Sequence, residues 1–131
     1  MTSERKDPFI EPTDRFIMTE LRLSLQRALV GAVPPSLRAV TCGWAGTEVQ
    51  IRYIFDGPIN PDEHEDMLCV GTEVIADFPS PWTIDEQAVR VDHPESLAPH
   101  LLRAWAYMRK EAPPQASQET PPAMDQAKET D

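Results

Sequence analysis

The sequence predicts an α+β domain, a two-layer sandwich with two helices packed on one face of a mainly antiparallel four-stranded sheet. Three observations support this prediction: two segments carry apolar residues at helical spacing, two alternating segments are joined by a short turn, and two further extended segments follow the second helix. The predicted order along the chain is helix, hairpin, helix, hairpin (α-β-β-α-β-β), so the last two strands are expected to pair with each other. With 131 residues and a hydrophobic fraction of 40%, the chain has material for one modest core.

The folded domain is predicted over residues 13–111. The flanking segments, 1–12 and 112–131, are rich in Pro, Gln, Ser, Thr and charged residues and nearly lack large apolar side chains. Neither segment can offset its ordering entropy by burying apolar surface. We therefore predict a disordered N-terminal tail and a disordered, Pro-rich C-terminal tail.

The first half of the domain is predicted to be a helix followed by a hairpin. Apolar side chains recur at helical spacing from residue 14 to residue 32, Thr13 or Asp14 can cap the start, and the prolines at 34–35 prevent continuation. Two alternating segments then follow, LRAVTCGW and EVQIRYIF, joined by the short turn Ala-Gly-Thr.

The second helix is predicted from Pro61 to Asp77, with Asn60 as its N-cap. On a helical wheel, Met67, Val74 and other apolar residues share one arc. Carboxylates occupy the opposite arc, and we call this set the acidic ridge: Asp62, Asp66, Glu73 and Asp77.

The last two strands are predicted over residues 82–91 and 102–110, and a helix is the alternative for the second of these. A change of alternation in the first indicates a bulge near Glu86 or Gln87. The sheet face away from the helices would be partly open to solvent or covered by a partner, because its side chains are types common in interface cores. These are Arg38, Arg52, Arg90, Arg103, Trp105, Tyr107 and Arg109.

The net charge of −10 is concentrated in one stretch of the chain. Residues 56–95 contain eleven Asp or Glu against the single base Arg90, which gives −10 for that stretch alone. Residues 1–55 and 96–131 are each nearly neutral. Such a local field repels phosphate backbones and attracts basic surfaces, so direct nucleic-acid binding is not expected and a basic protein partner is.

The stretch NPDEHED at 60–66 carries four carboxylates and a histidine, but no pattern of a known metal or catalytic site. Position 68 is Leu, so His64 lacks the second histidine of a zincin helix, and Pro61 and Met67 interrupt any calcium loop. No phosphate-binding glycine motif or activated nucleophile is present. We predict no catalytic residue, no cofactor and no metal.

No apolar run is long enough to span a bilayer, and no secretory signal precedes the domain. Cys42 and Cys69 have neither metal-ligand spacing nor a CxxC arrangement. The expectation is a cytoplasmic protein with reduced thiols that does not bind membranes.

Four segments resemble a group of small bacterial α/β proteins, some of which are described as immunity proteins of contact-dependent growth-inhibition or other polymorphic toxin systems. They are LQRALVGAVPPSLRAV (25–40), IRYIFDGPI (51–59), TEVIADFP (72–79) and WAYMRKE (105–111). The resemblance covers about residues 16–111 and contains no catalytic motif. It implies a protein that binds and neutralises a cognate toxin domain without catalysing a reaction.

The favoured hypothesis is a non-catalytic cytoplasmic immunity protein, a monomer or weak dimer, that binds a basic, nuclease-like toxin domain through its acidic surface. Its predicted contact residues are the acidic ridge (Asp62, Asp66, Glu73, Asp77), then Asp85 and Glu86, with Trp82 as an aromatic anchor. One alternative is a self-associating scaffold that uses the Arg/Trp/Tyr sheet face. The other, ranked last, is a small metal-dependent hydrolase that uses His64, His93 and nearby carboxylates.

Overall fold

The structure, a computed structural model, describes residues 13–112. The predicted tails lie outside the described residues, apart from Ala112. The order of helices and strands follows the prediction, with one added 3-10 turn at Ala98–His100. The elements are α1 (Asp14–Leu29), β1 (Leu37–Ala45), β2 (Glu48–Phe55), α2 (Pro61–Ala76), β3 (Thr83–Arg90) and β4 (Ala104–Met108).

Each helix begins directly after a residue whose side chain caps it. The Thr13 hydroxyl accepts a hydrogen bond from the Phe16 amide at 3.0 Å, and the Asn60 side chain accepts from the first amides of α2. The first helix ends three residues before its predicted end, because Val30 is extended and Gly31 adopts a positive φ of 79°.

The sheet is mixed, with strand order β3-β2-β1-β4, so the prediction of a mainly antiparallel sheet is wrong. The β1 strand pairs antiparallel with β2 and β4, whereas β2 and β3 are parallel. The parallel pair follows from the connection between its strands: α2 carries the chain back along the sheet, so β3 runs in the same direction as β2. The predicted pairing of the last two strands does not occur, because they lie at opposite edges.

The main core lies between the helices and one face of this sheet. Leu21 and Leu25 of α1, Met67 and Val74 of α2, and alternate residues of β1 and β2 are fully or nearly fully buried. Both helices therefore pack on the same face, as their apolar stripes predict.

The other face is covered by the chain itself. The connection between β3 and β4 crosses this face from edge to edge, and Val91 and Leu97 pack against Ala39, Ile54 and Trp105. The predicted open face is therefore wrong in its central part.

Two predicted strand phases also need correction. Tyr107 pairs with Val40 and packs against the main core, so it faces the helices and not the opposite side. The cause is an irregular register between β1 and β4 at Val40 and Thr41. In contrast, β3 pairs with β2 in continuous register, so the bulge predicted near Glu86 does not form.

Arg38 is the central polar contact beneath this covered face. Its side chain is only 3% exposed, and it donates to both carboxylate oxygens of Glu111, at 2.8 and 3.0 Å. It also donates to the backbone carbonyls of Val91, at 2.7 Å, and Glu95, at 3.1 Å. Arg109 extends the network, bridging Glu111 and Asp56. These bonds tie the crossing connection and the end of the described chain to the sheet.

We predict that Glu111→Gln lowers the free energy of unfolding by about 2 to 3 kcal/mol, because the buried Arg38 charge loses its counter-ion. The hydrogen bonds from Arg38 hold the pKa of Glu111 below its ordinary value. This contribution is therefore present at neutral pH and is lost as the pH falls through the lowered folded-state pKa.

Urea denaturation at neutral pH measures the loss. Glu95→Gln is the matched control: that side chain is exposed and only its backbone carbonyl contacts Arg38, so a change within about 0.5 kcal/mol is expected. Equal stability of the Glu111 variant and the wild type would contradict the anchoring role.

Candidate partner-binding surface

The second helix fixes the direction of the acidic ridge. Met67, Val70 and Val74 are buried against the sheet, which leaves the opposite side of α2 in solvent. Asp62, Asp66 and Glu73 are accordingly exposed and form no ion pair with another described residue. The structure therefore brings these three predicted contact residues together on one side of one helix.

Asp77 lies at the end of the ridge and contacts the first helix. Its Oδ2 accepts from the Ser24 hydroxyl at 2.6 Å and from Arg27 at 3.1 Å. The Ser24 hydrogen bond, supported by Arg27, holds the pKa of Asp77 below its ordinary value. Part of its charge is thus used to join α1 to α2, although its side chain remains 46% exposed.

Asp85 and Glu86 lie on opposite faces of β3, because neighbouring residues of a strand alternate. Asp85 faces away from the helices and pairs with Arg52 at 3.0 Å. It is therefore separated from the ridge by the sheet.

Glu86 points toward the helices and sits against α2. Its Oε1 accepts from the buried Tyr53 hydroxyl at 2.9 Å, and its carboxylate lies so close to Gly71 that a side chain there would collide with it. Burial raises the pKa of Glu86 above its ordinary value, with the Tyr53 hydrogen bond and the nearby His64 opposing that effect. Glu86 lies under the helix rather than on the ridge.

Trp82 belongs to the core. It is 7% exposed and stacks at a tilt on Phe78, with ring centroids 5.2 Å apart. Its ring is therefore not presented to solvent beside Asp66 and Glu73.

Six arginines of the described residues pair with carboxylates, and of these carboxylates only Asp77 belongs to the ridge. In the described range, several carboxylates of the acidic stretch are neutralised in this way, whereas Asp62, Glu65, Asp66 and Glu73 are not. The ion pairs are Arg27–Asp77, Arg38–Glu111, Arg52–Asp85, Arg90–Asp92, Arg103–Asp14 and Arg109–Asp56.

Asp66 and Glu73 also border a groove between α2 and the end of α1. The groove has a volume of about 390 Å³, and Glu63 and Cys69 belong to the same wall. The groove could not be predicted from the sequence, because it depends on how the two helices pack. Glu65 is a further exposed carboxylate of α2 without a described ion-pair partner, and it was not among the predicted contact residues.

The described residues give little support to the two alternative hypotheses, the scaffold and the metal-dependent hydrolase. Arg38 of the proposed scaffold face is buried, and Arg52 and Arg109 are held in ion pairs. Within residues 13–112, no group of three or more His, Cys, Asp or Glu is placed to hold a metal ion. His64 and His93 do not converge on such a centre.

No helix in residues 13–112 is long and apolar enough to cross a membrane.

The chain matches a known protein family. The family model described as MafI2 immunity protein matches residues 18–111. The match covers both helices and all four strands, apart from the first residues of α1. Among curated proteins, no significant match is found.

We predict that Glu86→Gln raises the free energy of unfolding at about pH 7 and leaves it nearly unchanged at about pH 4. The folded-state pKa of Glu86 lies above its unfolded value. The neutral carboxyl group therefore makes its full contribution to the free energy of unfolding below the unfolded pKa, and this contribution is lost as the pH rises through the folded pKa. The amide retains an acceptor for Tyr53 and carries no buried charge.

Urea denaturation across this pH range measures the difference. Glu65→Gln, on the exposed side of α2, is the control and should show no comparable pH dependence. A Glu86 variant that is less stable than the wild type at neutral pH would show that burial is not the dominant cause.

Proposed function

The chain belongs to the MafI2 immunity protein family, and we propose that it binds and neutralises a basic toxin domain through the exposed carboxylates of α2. Asp62, Asp66 and Glu73 form the centre of this surface, and the exposed part of Asp77 extends it. In this proposal the protein acts by binding the toxin domain, not by catalysing a reaction.

The observation that carries the proposal is the unpaired state of these carboxylates. Six arginines of the domain each have a carboxylate partner. In contrast, three acidic side chains on one face of α2 have no basic partner among the described residues. Burying them against apolar protein would cost free energy, whereas a basic partner would supply counter-ions. Because these negative charges lie on the same side of α2, their combined field also attracts a basic partner over several ångströms and increases the association rate.

A toxin that acts on nucleic acid is the partner class that best suits this surface. A nuclease carries Lys and Arg where the phosphate backbone binds. Carboxylates on a rigid helix can occupy the positions of those phosphates and block the substrate. We therefore propose a nuclease-like toxin domain as the target.

The functional experiment expresses the toxin domain encoded beside this chain, with and without this protein. Rescue of growth together with a purified complex would support the immunity function. Growth arrest that persists when this protein is abundant would refute it.

For the surface itself, we predict that the triple variant Asp62→Asn, Asp66→Asn, Glu73→Gln slows association with the toxin domain by about tenfold at low ionic strength. Stopped-flow mixing measures the association rate. The wild-type rate should fall steeply as salt is added, and the rate of the variant should fall less.

The matched control removes three charges elsewhere: Glu20→Gln, Glu48→Gln, Glu95→Gln. None of these side chains forms an ion pair with a described residue, and the change in net charge is the same. If both triple variants slow association equally, net charge and not the α2 surface determines the rate.

A further inference from the structure

The groove between the two helices has an apolar floor and a charged wall on one side. The end of α1 and the segment after it supply Ala28, Ala32 and Val33, and α2 supplies Val70. Asp66 and Glu73 stand on the α2 wall, one on either side of Cys69 in sequence, and all three side chains are exposed.

This combination suits one kind of protein side chain. Lys and Arg have long aliphatic stems that cover apolar surface and charged ends that need an anion. A purely apolar side chain would leave the two carboxylates without counter-ions. An acidic one would add repulsion.

The nearby basic group does not occupy the groove. Arg27, in the last turn of α1, is held by Asp77 at 3.1 Å, beyond the residues that line the groove. Glu63 accepts from the Ser36 hydroxyl at 2.7 Å, so the wall keeps its negative charge there as well. The C-terminal end of α1 adds a partial negative charge from its dipole.

We infer that this groove receives an arginine or lysine side chain of the toxin domain, with the stem on Ala32 and Val70 and the charged end between Asp66 and Glu73. The inference rests on the proposed function and adds the side-chain class and its position. It makes the groove, and not only the outer ridge, a part of the contact surface.

Cys69 provides a native reporter inside the groove. It is exposed, whereas the second thiol in the chain, Cys42, is buried and has its pKa raised to about 11 by that burial. A thiol reagent should therefore modify Cys69 selectively in the folded protein. No engineered cysteine is needed.

The first measurement tests the groove without the toxin. We compare two methanethiosulfonate reagents, one with a trimethylammonium head and one with a sulfonate head, and normalise each rate to that of free glutathione. The cationic reagent should be favoured by about fivefold or more, and added salt should reduce that preference.

The carboxylates should account for this preference. The double variant Asp66→Asn, Glu73→Gln should remove most of it, whereas Glu48→Gln, Glu95→Gln should not. Equal normalised rates for the two reagents in the wild type would overturn the inference.

The second measurement adds the toxin domain at a saturating concentration and follows alkylation of Cys69 by iodoacetamide, an uncharged reagent. Occupation of the groove should slow alkylation by about tenfold or more. Full reactivity in a complex whose formation is verified by size-exclusion chromatography would overturn the groove inference and leave the immunity function intact. Failure of the two proteins to bind would overturn the proposed function, and the inference with it.

A groove-filling variant tests the same point with the charges unchanged. Ala32→Trp should weaken toxin binding by about tenfold or more. Ala45→Trp is the control, because Ala45 is an exposed residue at the end of β1 and does not line the groove. Equal affinities of the two variants would count against the groove.

Discussion

The buried guanidinium of Arg38 is the interaction on which the far side of the domain depends. A charge that is 3% exposed needs partners, and Glu111 and two backbone carbonyls of the 91–95 connection supply them. The connection is thereby held across the sheet, and Leu97 and Val91 can cover Ile54. The polar bonds of Arg38 and the apolar contacts of Val91 and Leu97 together hold the connection on that face.

The same use of arginines explains where the negative charge remains. Six of the described arginines form ion pairs on the sheet, at the strand ends and between the helices, and they neutralise carboxylates there. None of them reaches the solvent side of α2 near Asp66 or Glu73. Part of the charge concentrated in the sequence, the carboxylates of Asp62, Asp66 and Glu73, therefore lies unpaired among the described residues on one exposed side of α2, bordered by a groove.

The resemblance to immunity proteins is confirmed by the MafI2 family match over residues 18–111. Family membership supplies the class of partner, and the fold supplies the surface that could meet it. The predicted contact set divides accordingly. Asp62, Asp66 and Glu73 remain candidates, while Glu86 and Trp82 are placed within the fold, where they shape α2 and its packing rather than its exposed side.

Local patterns in the sequence determined the helices and strands, because capping residues and apolar periods act over a few neighbouring positions. The acidic ridge followed from the same periodicity. Tertiary structure alone decided the parallel pairing of β3, the phase of Tyr107 and the sides on which Asp85 and Glu86 lie. Each depends on strand order and register, which arise from contacts between residues far apart in the chain. The groove beside Cys69 exists only because two helices, each predictable alone, pack at one particular distance and angle.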